Sequence, residues 1–210
     1  MIDFSTQKIL HQVPENYYQN GIRNNLFQRI WHMGKLRAIL GLIDTNPKSI
    51  LDVGSSSGWF LANLSKNFPE AKCVGVDAYR KAIIYGNKKY KSIKFVHADA
   101  HNLPFFNESF DLVLCTEVLE HVLDPKGVLE EIRRVLKKQG IAVVEMDTGN
   151  ILFSIVWYLW INFKGKVWKD AHLHKFNSSK LEKMIKKCGF IIDNKKIFNS
   201  GMAVAFYLKK

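Results

Sequence analysis

The 210-residue sequence has few cysteines and no apolar run long enough to cross a membrane. Cys73, Cys115 and Cys188 show no C-x-x-C spacing, which excludes a disulfide framework and a zinc ribbon and suits a reducing compartment. The longest apolar run, Ile151 to Phe163, is shorter than the ~20 residues of a membrane-spanning helix. The first twenty residues also lack the basic start and apolar stretch of a signal peptide. We therefore expect a cytoplasmic protein.

Composition and charge describe a globular chain with an uneven distribution of basic residues. Hydrophobic residues make up 47% and charged residues 24%, which is ordinary globular usage and fits one domain with short additions. Residues 1–49 carry six basic and three acidic groups (+3), residues 50–150 thirteen of each (0), and residues 151–210 twelve and three (+9). This pattern indicates a neutral catalytic core with a flank that meets an anionic partner, or a lysine-rich solvated surface.

Short apolar segments alternate with helical segments from residue 49 onward. The predicted strands are SILDV, KCVGVD, IKFVHAD, FDLVLCT and IAVVEMD. Connections of this length imply right-handed crossovers and a parallel sheet covered on both faces. Two further segments, IIDNKKIF and MAVAFYLKK, are joined by a short turn and predict an antiparallel hairpin.

Three helices have clear signals at their ends. The N-terminal helix begins at Asn24 or Asn25 and ends near Gly41. Its apolar positions at helical spacing are Leu26 or Phe27, Ile30, Met33, Leu36 and Leu40. A second helix begins at Pro125 and is expected to continue to Gly140. The third, SSKLEKMIKKCGF, ends at Gly189.

Polar residues follow four of the predicted strands. They are the turn Asp52–Gly58, Asp77, the pair Asp99-Ala100, and the segment beginning Cys115-Thr116. Ligands of open α/β sheets bind at this edge, and an acidic residue 19 positions after Gly58 suits a ribose diol. Serines replace glycines of the dinucleotide fingerprint, and a carboxylate before the turn repels a diphosphate. A ligand with a ribose but no phosphate, such as S-adenosylmethionine, fits better.

The segments LDVGSSSG, GVDAY, HADAHNLPF and FDLVLCTEVLEHV, in this order, resemble the motifs of class I S-adenosylmethionine-dependent methyltransferases. The similarity is to the small-molecule branch that includes the ubiquinone-biosynthesis O-methyltransferases. It implies a Rossmann-like, seven-stranded, doubly wound sheet in three α/β/α layers, with the last strand antiparallel. It also implies a methyltransferase domain over residues 49–210, preceded by a helical cap over 1–48 and containing a substrate-covering insertion at about 150–175.

The resemblance further implies cofactor contacts at the ends of the first four strands. In the first turn these residues are Asp52, Gly54, Ser55, Ser56 and Gly58. After the following strands they are Asp77, Ala78, Tyr79, Asp99, Ala100, Cys115 and Thr116. The first turn would hold the methionine end, Asp77 the ribose hydroxyls, and Asp99 would lie near the adenine amino group. Ser56 departs from the family pattern, which has a glycine there.

Methyl transfer to a hydroxyl acceptor benefits from a general base. His121, His172 and His174 are the candidates, since histidine titrates near neutral pH. Weaker candidates are Glu117, Glu120 and Asp147. Each also has a purely structural explanation, such as a hydrogen bond within a helical turn.

A metal site is an alternative use of the same residues. If residues 117–121 are helical, Glu117, Glu120 and His121 share one face and would converge on a cation, with His172 or His174 completing the shell. A similar arrangement occurs in small-RNA 3′-terminal 2′-O-methyltransferases. The pattern is also common without a metal, so we assign none.

The segment Ile151–Trp168 is unusually aromatic, with three tryptophans, one tyrosine and two phenylalanines, and Lys164, Lys166 and Lys169 lie close by. It predicts a lid for a small or lipid-like acceptor, with Trp31 and His32 as the opposite wall. Its basic rim suits an anionic membrane surface and a location peripheral to the inner face of the membrane. The plain alternative is an amphipathic cover for the sheet.

The leading hypothesis is S-adenosylmethionine-dependent methyl transfer, at oxygen, to a small or lipid-like molecule. An RNA ribose methyltransferase with a metal-assisted Glu-Glu-His site is the second hypothesis, supported by the basic C-terminal residues. A non-catalytic cofactor-binding module is the third. Methylation of base amino groups is disfavoured because the fourth strand ends in Cys-Thr-Glu-Val. It lacks the Asn/Asp-Pro-Pro-aromatic motif that holds an exocyclic amine.

Overall fold

The computed structural model describes residues 13–168, 172–174 and 176–210. Lys169 and parts of the predicted cap and insertion therefore lie outside the described residues. A seven-stranded sheet in the order β3-β2-β1-β4-β5-β7-β6 forms the centre. Strands β1 to β5 pair in parallel, and β7 is antiparallel to both of its neighbours. The expected Rossmann-like sheet with an antiparallel last strand is confirmed.

The helices and strands follow the chain in an alternating order. The strands are β1 (Ser49–Val53), β2 (Lys72–Asp77), β3 (Lys94–His97), β4 (Phe110–Thr116), β5 (Leu136–Asp147), β6 (Ile191–Phe198) and β7 (Ala203–Lys209). The helices are α1 (Tyr17–Asn24), α2 (Leu26–Leu40), α3 (Trp59–Leu64), α4 (Arg80–Lys89), α5 (Pro125–Val135), α6 (Ile151–Phe163) and α7 (Ser178–Lys187). Short 3-10 turns cover Ser65–Asn67, Leu119–His121 and Lys166–Trp168.

The two faces of the sheet carry separate apolar cores because successive strand residues point to opposite sides. In β1, Ile50 packs with α2, α3 and α4, whereas Leu51 packs with α5 and α7. Both residues are fully buried. This gives the three expected layers and leaves the carboxyl ends of the parallel strands at one edge.

The predicted end of the second helix at Gly140 is wrong. Helix α5 ends at Val135, and Leu136 already pairs with Phe110 as the first residue of β5. The next residue, Lys137, forms an ion pair with Asp111. Pairing with β4 therefore overrides the helix-forming sequence LKKQ that follows Val135.

The apolar stripe predicted for the N-terminal helix is only partly correct. The Asn25 side chain caps α2 by accepting a hydrogen bond from the Gln28 backbone, as expected. However, the buried residues of α2 are His32, Lys35, Leu36, Ala38 and Ile39. The first turns instead expose their apolar side chains, because no element of the described chain covers that side.

No helix within the described ranges combines the length and the apolar character needed to cross a membrane. All three cysteines are free and buried.

Candidate active site

The turn after β1 is held against the end of β2 by backbone hydrogen bonds. The amides of Gly54 and Ser55 both donate to the Val76 carbonyl, and the Ser56 amide donates to Asp77 Oδ2 over 2.7 Å. Ser56 has φ +47°, the left-handed conformation that favours glycine, so the serine keeps the backbone shape of the glycine it replaces. A Cβ on Gly54 (φ +75°) would lie 2.2 Å from Val118 Cγ2, which requires glycine at this position.

Asp77 organises the neighbouring backbone with both carboxylate oxygens. Oδ1 accepts from the Tyr79 amide over 2.7 Å, while Oδ2 accepts from Ser56. A carboxylate oxygen accepts more than one hydrogen bond, so each retains capacity for a hydroxyl donor. Burial raises the pKa of this carboxyl, and the two amides oppose that rise. Asp99, after β3, accepts from the backbone and ring of His101. Both acids lie at the sheet edge where a ribose and its base would sit.

Several of the other residues expected at the cofactor have protein partners. The Tyr79 hydroxyl donates to the Val13 carbonyl over 2.8 Å. The Cys115 side chain packs within the core on the α5 face. Asp52 is buried, and burial raises its pKa to about 7 although Lys35 lowers it. Ser55 Oγ is buried with no hydrogen-bond partner among the described residues, so an unused polar atom remains in the turn.

A cavity of about 160 Å³ lies beside this edge. Its aromatic walls are Tyr18, Phe27 and Trp31 on one side and Phe153, Trp157 and Trp160 on the other. The ring centroids of Trp31 and Phe153 are 6.2 Å apart, which brings α2 and α6 together across the cavity. Trp31 and His32 both line it, opposite α6.

Beside His32 on the α2 wall, acidic and histidine side chains form the polar side of the cavity. They are Glu117, Glu120, His121, Asp147 and His172. His172 stacks on Trp157 at 4.6 Å and meets His121 edge-on at 5.0 Å. Burial, followed by the charge of His121, lowers the pKa of His172 to about 4, so this imidazole is neutral at pH 7. Burial also raises the pKa of Asp147 to about 6.

The three candidate bases are placed differently. His121 and His172 face the same cavity, whereas His174 is not among its lining residues. The Nε2 of His174 lies 2.9 Å from the Val122 carbonyl, so it carries the proton of that hydrogen bond. Backbone amides of Leu173 and His174 donate to the Glu120 carbonyl, which ties this segment to the turn that carries His121.

The predicted shared helix face of Glu117 and His121 is wrong. Glu117 has φ +54°, and only Leu119–His121 form a 3-10 turn. Donor atoms of Glu120, His121 and His172 lie within 4.8 Å of one another, and Glu120 Oε2 has no hydrogen-bond partner in the described chain. Glu117 is not part of this group, because Lys35 and Trp31 hold it elsewhere.

Sequence analysis missed the buried Lys35 ammonium and its ion pair with Glu117. Lys35 Nζ lies 3.3 Å from Glu117 Oε2 and 3.9 Å from Glu145 Oε2. Burial opposes ionisation of Glu117, but Lys35 and the Trp31 indole, which donates over 2.8 Å, lower its pKa to about 2. Burial raises the pKa of Glu145 to about 8. Two signals in the sequence could have indicated this pairing: Lys35 lies among the apolar positions of α2, and Glu145 lies inside the apolar strand IAVVEMD. Such residues are rarely buried unless they are paired.

The strand order and this polar edge define a Rossmann-like methyltransferase fold. A solved S-adenosylmethionine-dependent methyltransferase from Thermotoga maritima, titled a possible histamine N-methyltransferase, superposes with a TM-score of 0.74 at 21% identity, covering 98% of this chain and 99% of that one. The N-methyltransferase NodS from Bradyrhizobium japonicum, solved with S-adenosyl-L-homocysteine, gives a TM-score of 0.69 at 15% identity, covering 98% and 96%. At these identities the likeness concerns the fold.

Residues 51–144 match the family described as methyltransferase domain. A demethylmenaquinone methyltransferase from Thermotoga maritima is 28% identical over 92% of this chain and 91% of its own length. One from Geobacillus stearothermophilus is 29% identical over 95% of each. A malonyl-[acyl-carrier protein] O-methyltransferase from Hahella chejuensis is 30% identical over 52% of this chain but only 40% of its own length. The chain is a class I S-adenosylmethionine-dependent methyltransferase, and S-adenosylmethionine is its cofactor.

Proposed function

We propose that the enzyme methylates a small, lipid-like molecule with a hydroxylated aromatic ring, and that the ring binds in the aromatic cavity. The cavity between α2 and α6 carries this proposal. An apolar cavity of similar volume takes a benzene ring in another protein. Trp31, Trp157 and Phe153 offer faces for stacking. An apolar tail would have to remain outside the cavity, beside the exposed residues of the same helices.

In this proposal the cofactor lies along the carboxyl ends of β1, β2, β3 and β4. Asp77 accepts hydrogen bonds from the ribose hydroxyls, and the turn from Gly54 to Gly58 holds the methionine end. The unpartnered Ser55 hydroxyl and the remaining acceptor capacity of Asp77 support this fit. Asp52 acts through the turn, and Cys115 and Thr116 contribute backbone. Ala78, Tyr79, Asp99 and Ala100 border the adenine.

Bound S-adenosylmethionine supplies a methyl group that is already activated on a sulfonium sulfur. The protein aligns the acceptor, excludes water and removes a proton. We assign proton removal from the acceptor hydroxyl to His172, which burial keeps neutral at pH 7 and which lies against His121. The aromatic walls exclude water, so the oxygen is poorly solvated once its proton has left.

The relatives support an acceptor of this chemical class. Two that match along nearly their whole length are named demethylmenaquinone methyltransferases. A relative from Desulfotalea psychrophila, 30% identical over 48% of its length, is named a C-methyltransferase. Deprotonating an aromatic hydroxyl makes both the oxygen and the adjacent ring carbon nucleophilic. We propose oxygen as the atom methylated, and the adjacent carbon is the other outcome that the product distinguishes.

The placement of the basic residues does not favour RNA. Six of the twelve lysines of the C-terminal sixty residues lie on α7 and on β6, and β6 is the edge strand opposite β3. Among the described residues, none of them lines the cavity. The Glu120, His121 and His172 donors are compatible with a cation, but their arrangement does not specify a polynucleotide.

The direct test uses labelled S-adenosylmethionine with defined acceptors. Hydroquinones with short and long isoprenoid tails, a catechol and a short RNA are supplied in parallel. We expect label on the hydroquinones only, and mass spectrometry of the product separates an ether from a ring methyl group. Transfer to RNA, or to none of these aromatic acceptors, would overturn the proposal. Trp157→Ala should impair transfer to hydroquinones by weakening acceptor binding, while Phe106→Ala, which removes an exposed aromatic ring that does not line the cavity, serves as the control.

A further inference from the structure

Helix α6 presents apolar side chains on both of its sides. Phe153, Trp157 and Trp160 line the cavity, whereas Ile155 and Phe163 are exposed to 55% and 75%. None of the thirteen residues of this helix is charged, and none is buried. A surface helix normally has a polar outer face, so α6 lacks the side that would contact water.

Helix α2 adds to the same apolar surface from the other side of the cavity. Leu26, Phe27 and Ile30 are all exposed, and Phe27 is exposed to 78%. Phe27 and the half-exposed Val156 of α6 both line the cavity, so its mouth is apolar on two sides. We call the exposed residues Leu26, Phe27, Ile30, Ile155, Leu159 and Phe163 the outer apolar face. Contiguous apolar surface around a binding site indicates an interaction partner.

The charged residues on the two segments that carry this face are all basic, whereas the acidic Glu117, Glu120 and Asp147 line the cavity between them. Residues 17–40 and 150–168 contain no aspartate or glutamate. They contain basic residues that are exposed, among them Arg23, Lys164 and Lys166. Apolar and aromatic side chains bordered by cations suit the headgroup region of an anionic bilayer.

The length of α6 fixes how it would meet a bilayer. Thirteen residues span roughly 20 Å, less than the ~30 Å of a hydrocarbon core. The helix is therefore suited to lie in the plane of the interface, with its outer side in the lipid and its inner side on the cavity.

We propose that the outer apolar face docks on the surface of an anionic bilayer, so that the cavity mouth opens onto the lipid. Only the acceptor in this proposal rests on the proposed function. An acceptor whose ring lies in the cavity and whose tail stays in the bilayer would never have to enter water. Docking itself requires neither cofactor nor acceptor.

Flotation of the full chain with vesicles tests the docking. Vesicles of phosphatidylcholine are compared with vesicles that also contain phosphatidylglycerol, in the absence of cofactor and acceptor. We expect binding to the anionic vesicles, about tenfold weaker for Ile155→Ser/Leu159→Ser, neither of which lines the cavity. The matched control is Ile191→Ser/Ile197→Ser, which removes two equally exposed isoleucines from the edge strand β6 and should bind like the parent.

Charge is tested in the same way. Lys164→Glu/Lys166→Glu should weaken binding by about tenfold, whereas Lys183→Glu/Lys187→Glu on α7 should bind like the parent. Absence of vesicle binding, or equal losses for both lysine pairs, would overturn the proposal. Sedimentation of Ile155→Ser/Leu159→Ser tests whether the outer apolar face instead joins two copies of the chain. If this variant lowers the mass of a self-associated protein and leaves vesicle binding unchanged, the proposal is also overturned.

The two proposals fail separately. If vesicles do not bind but a short-tailed hydroquinone is methylated, docking is wrong and the proposed function remains. If vesicles bind through the outer apolar face but no aromatic acceptor is methylated, the proposed function is wrong and docking remains.

Discussion

Lys35 on α2 and Glu117 after β4 form an ion pair of 3.3 Å, with only 5% of the lysine side chain exposed. Glu145 of β5 lies 3.9 Å from the same ammonium. The Trp31 indole, one turn earlier on α2, also donates to Glu117. The wall of the cavity formed by α2 is thus fixed to the sheet edge by charge as well as by packing.

Loss of Lys35 should be strongly destabilising. Lys35→Met leaves the Glu117 carboxylate without its cation and removes the ammonium beside Glu145, and breaking a buried pair costs about 3 kcal/mol or more. Urea denaturation measures the free energy of unfolding. The exposed pair Lys126–Glu130 provides the control, since Lys126→Met should leave the free energy of unfolding close to that of the parent. Equal effects at the two lysines would contradict the structural role of Lys35.

Glu145 should make stability depend on pH. Burial raises its pKa to about 8 in the folded protein, against about 4.3 in the unfolded chain. Between these two pH values the Glu145 carboxyl is protonated in the folded protein and ionised in the unfolded chain. Its contribution to the free energy of unfolding is therefore complete at low pH and is lost as pH rises towards about 8.

Glu145→Gln cannot ionise and should therefore flatten this dependence. Relative to the parent, it should gain on the order of 1 kcal/mol or more between about pH 5 and 8. Unfolding curves over this range measure the slope. Glu130→Gln, on the surface, should keep the slope of the parent. A parent slope retained in Glu145→Gln would show that this carboxyl is ionised throughout.

Asp77→Asn should weaken cofactor binding without unfolding the protein. The amide loses the charge that strengthens hydrogen bonds from ribose hydroxyls, and its NH2 group leaves either the Ser56 or the Tyr79 backbone amide without an acceptor, so affinity should fall by about ten- to a hundredfold. Calorimetric titration with S-adenosyl-L-homocysteine measures this affinity. Asp193→Asn on β6 removes an exposed carboxylate and should leave affinity unchanged. Unaltered binding in Asp77→Asn would remove Asp77 from the site.

His172 and His174 should respond differently to the same substitution. His172→Asn should lower kcat by about 10²- to 10⁴-fold, since it removes the proposed base from the cavity. In the parent, kcat/KM should rise with pH through about 4, where His172 loses its proton, and this rise should vanish in the variant. His174→Asn breaks a bond to the Val122 carbonyl and should affect stability more than kcat. The opposite ranking would move the base to His174.

The fold was largely predictable from the sequence, whereas the site was predictable only in part. Strands such as β1 and β4 are short, mainly apolar segments bounded by turns, and these signals are local. The end of α5 was not predictable, because the pairing of Leu136 with Phe110 is a tertiary contact. The pairing of Lys35 with Glu117 joins positions 82 residues apart, and no local pattern specifies such a contact. His172 was one of two histidines expected to join Glu120 and His121, and it does so; Glu117 does not, because its φ of +54° breaks the expected helix.

The most direct test of the central claim follows labelled methyl groups from S-adenosylmethionine into an extract of the cells that make the protein. Products are divided between organic and aqueous phases, with Asp77→Asn as the control. The account predicts label in the organic phase, carried by an aromatic molecule and lost in the control. Label confined to the aqueous phase, on RNA or polar metabolites, would contradict a lipid-like acceptor in the aromatic cavity.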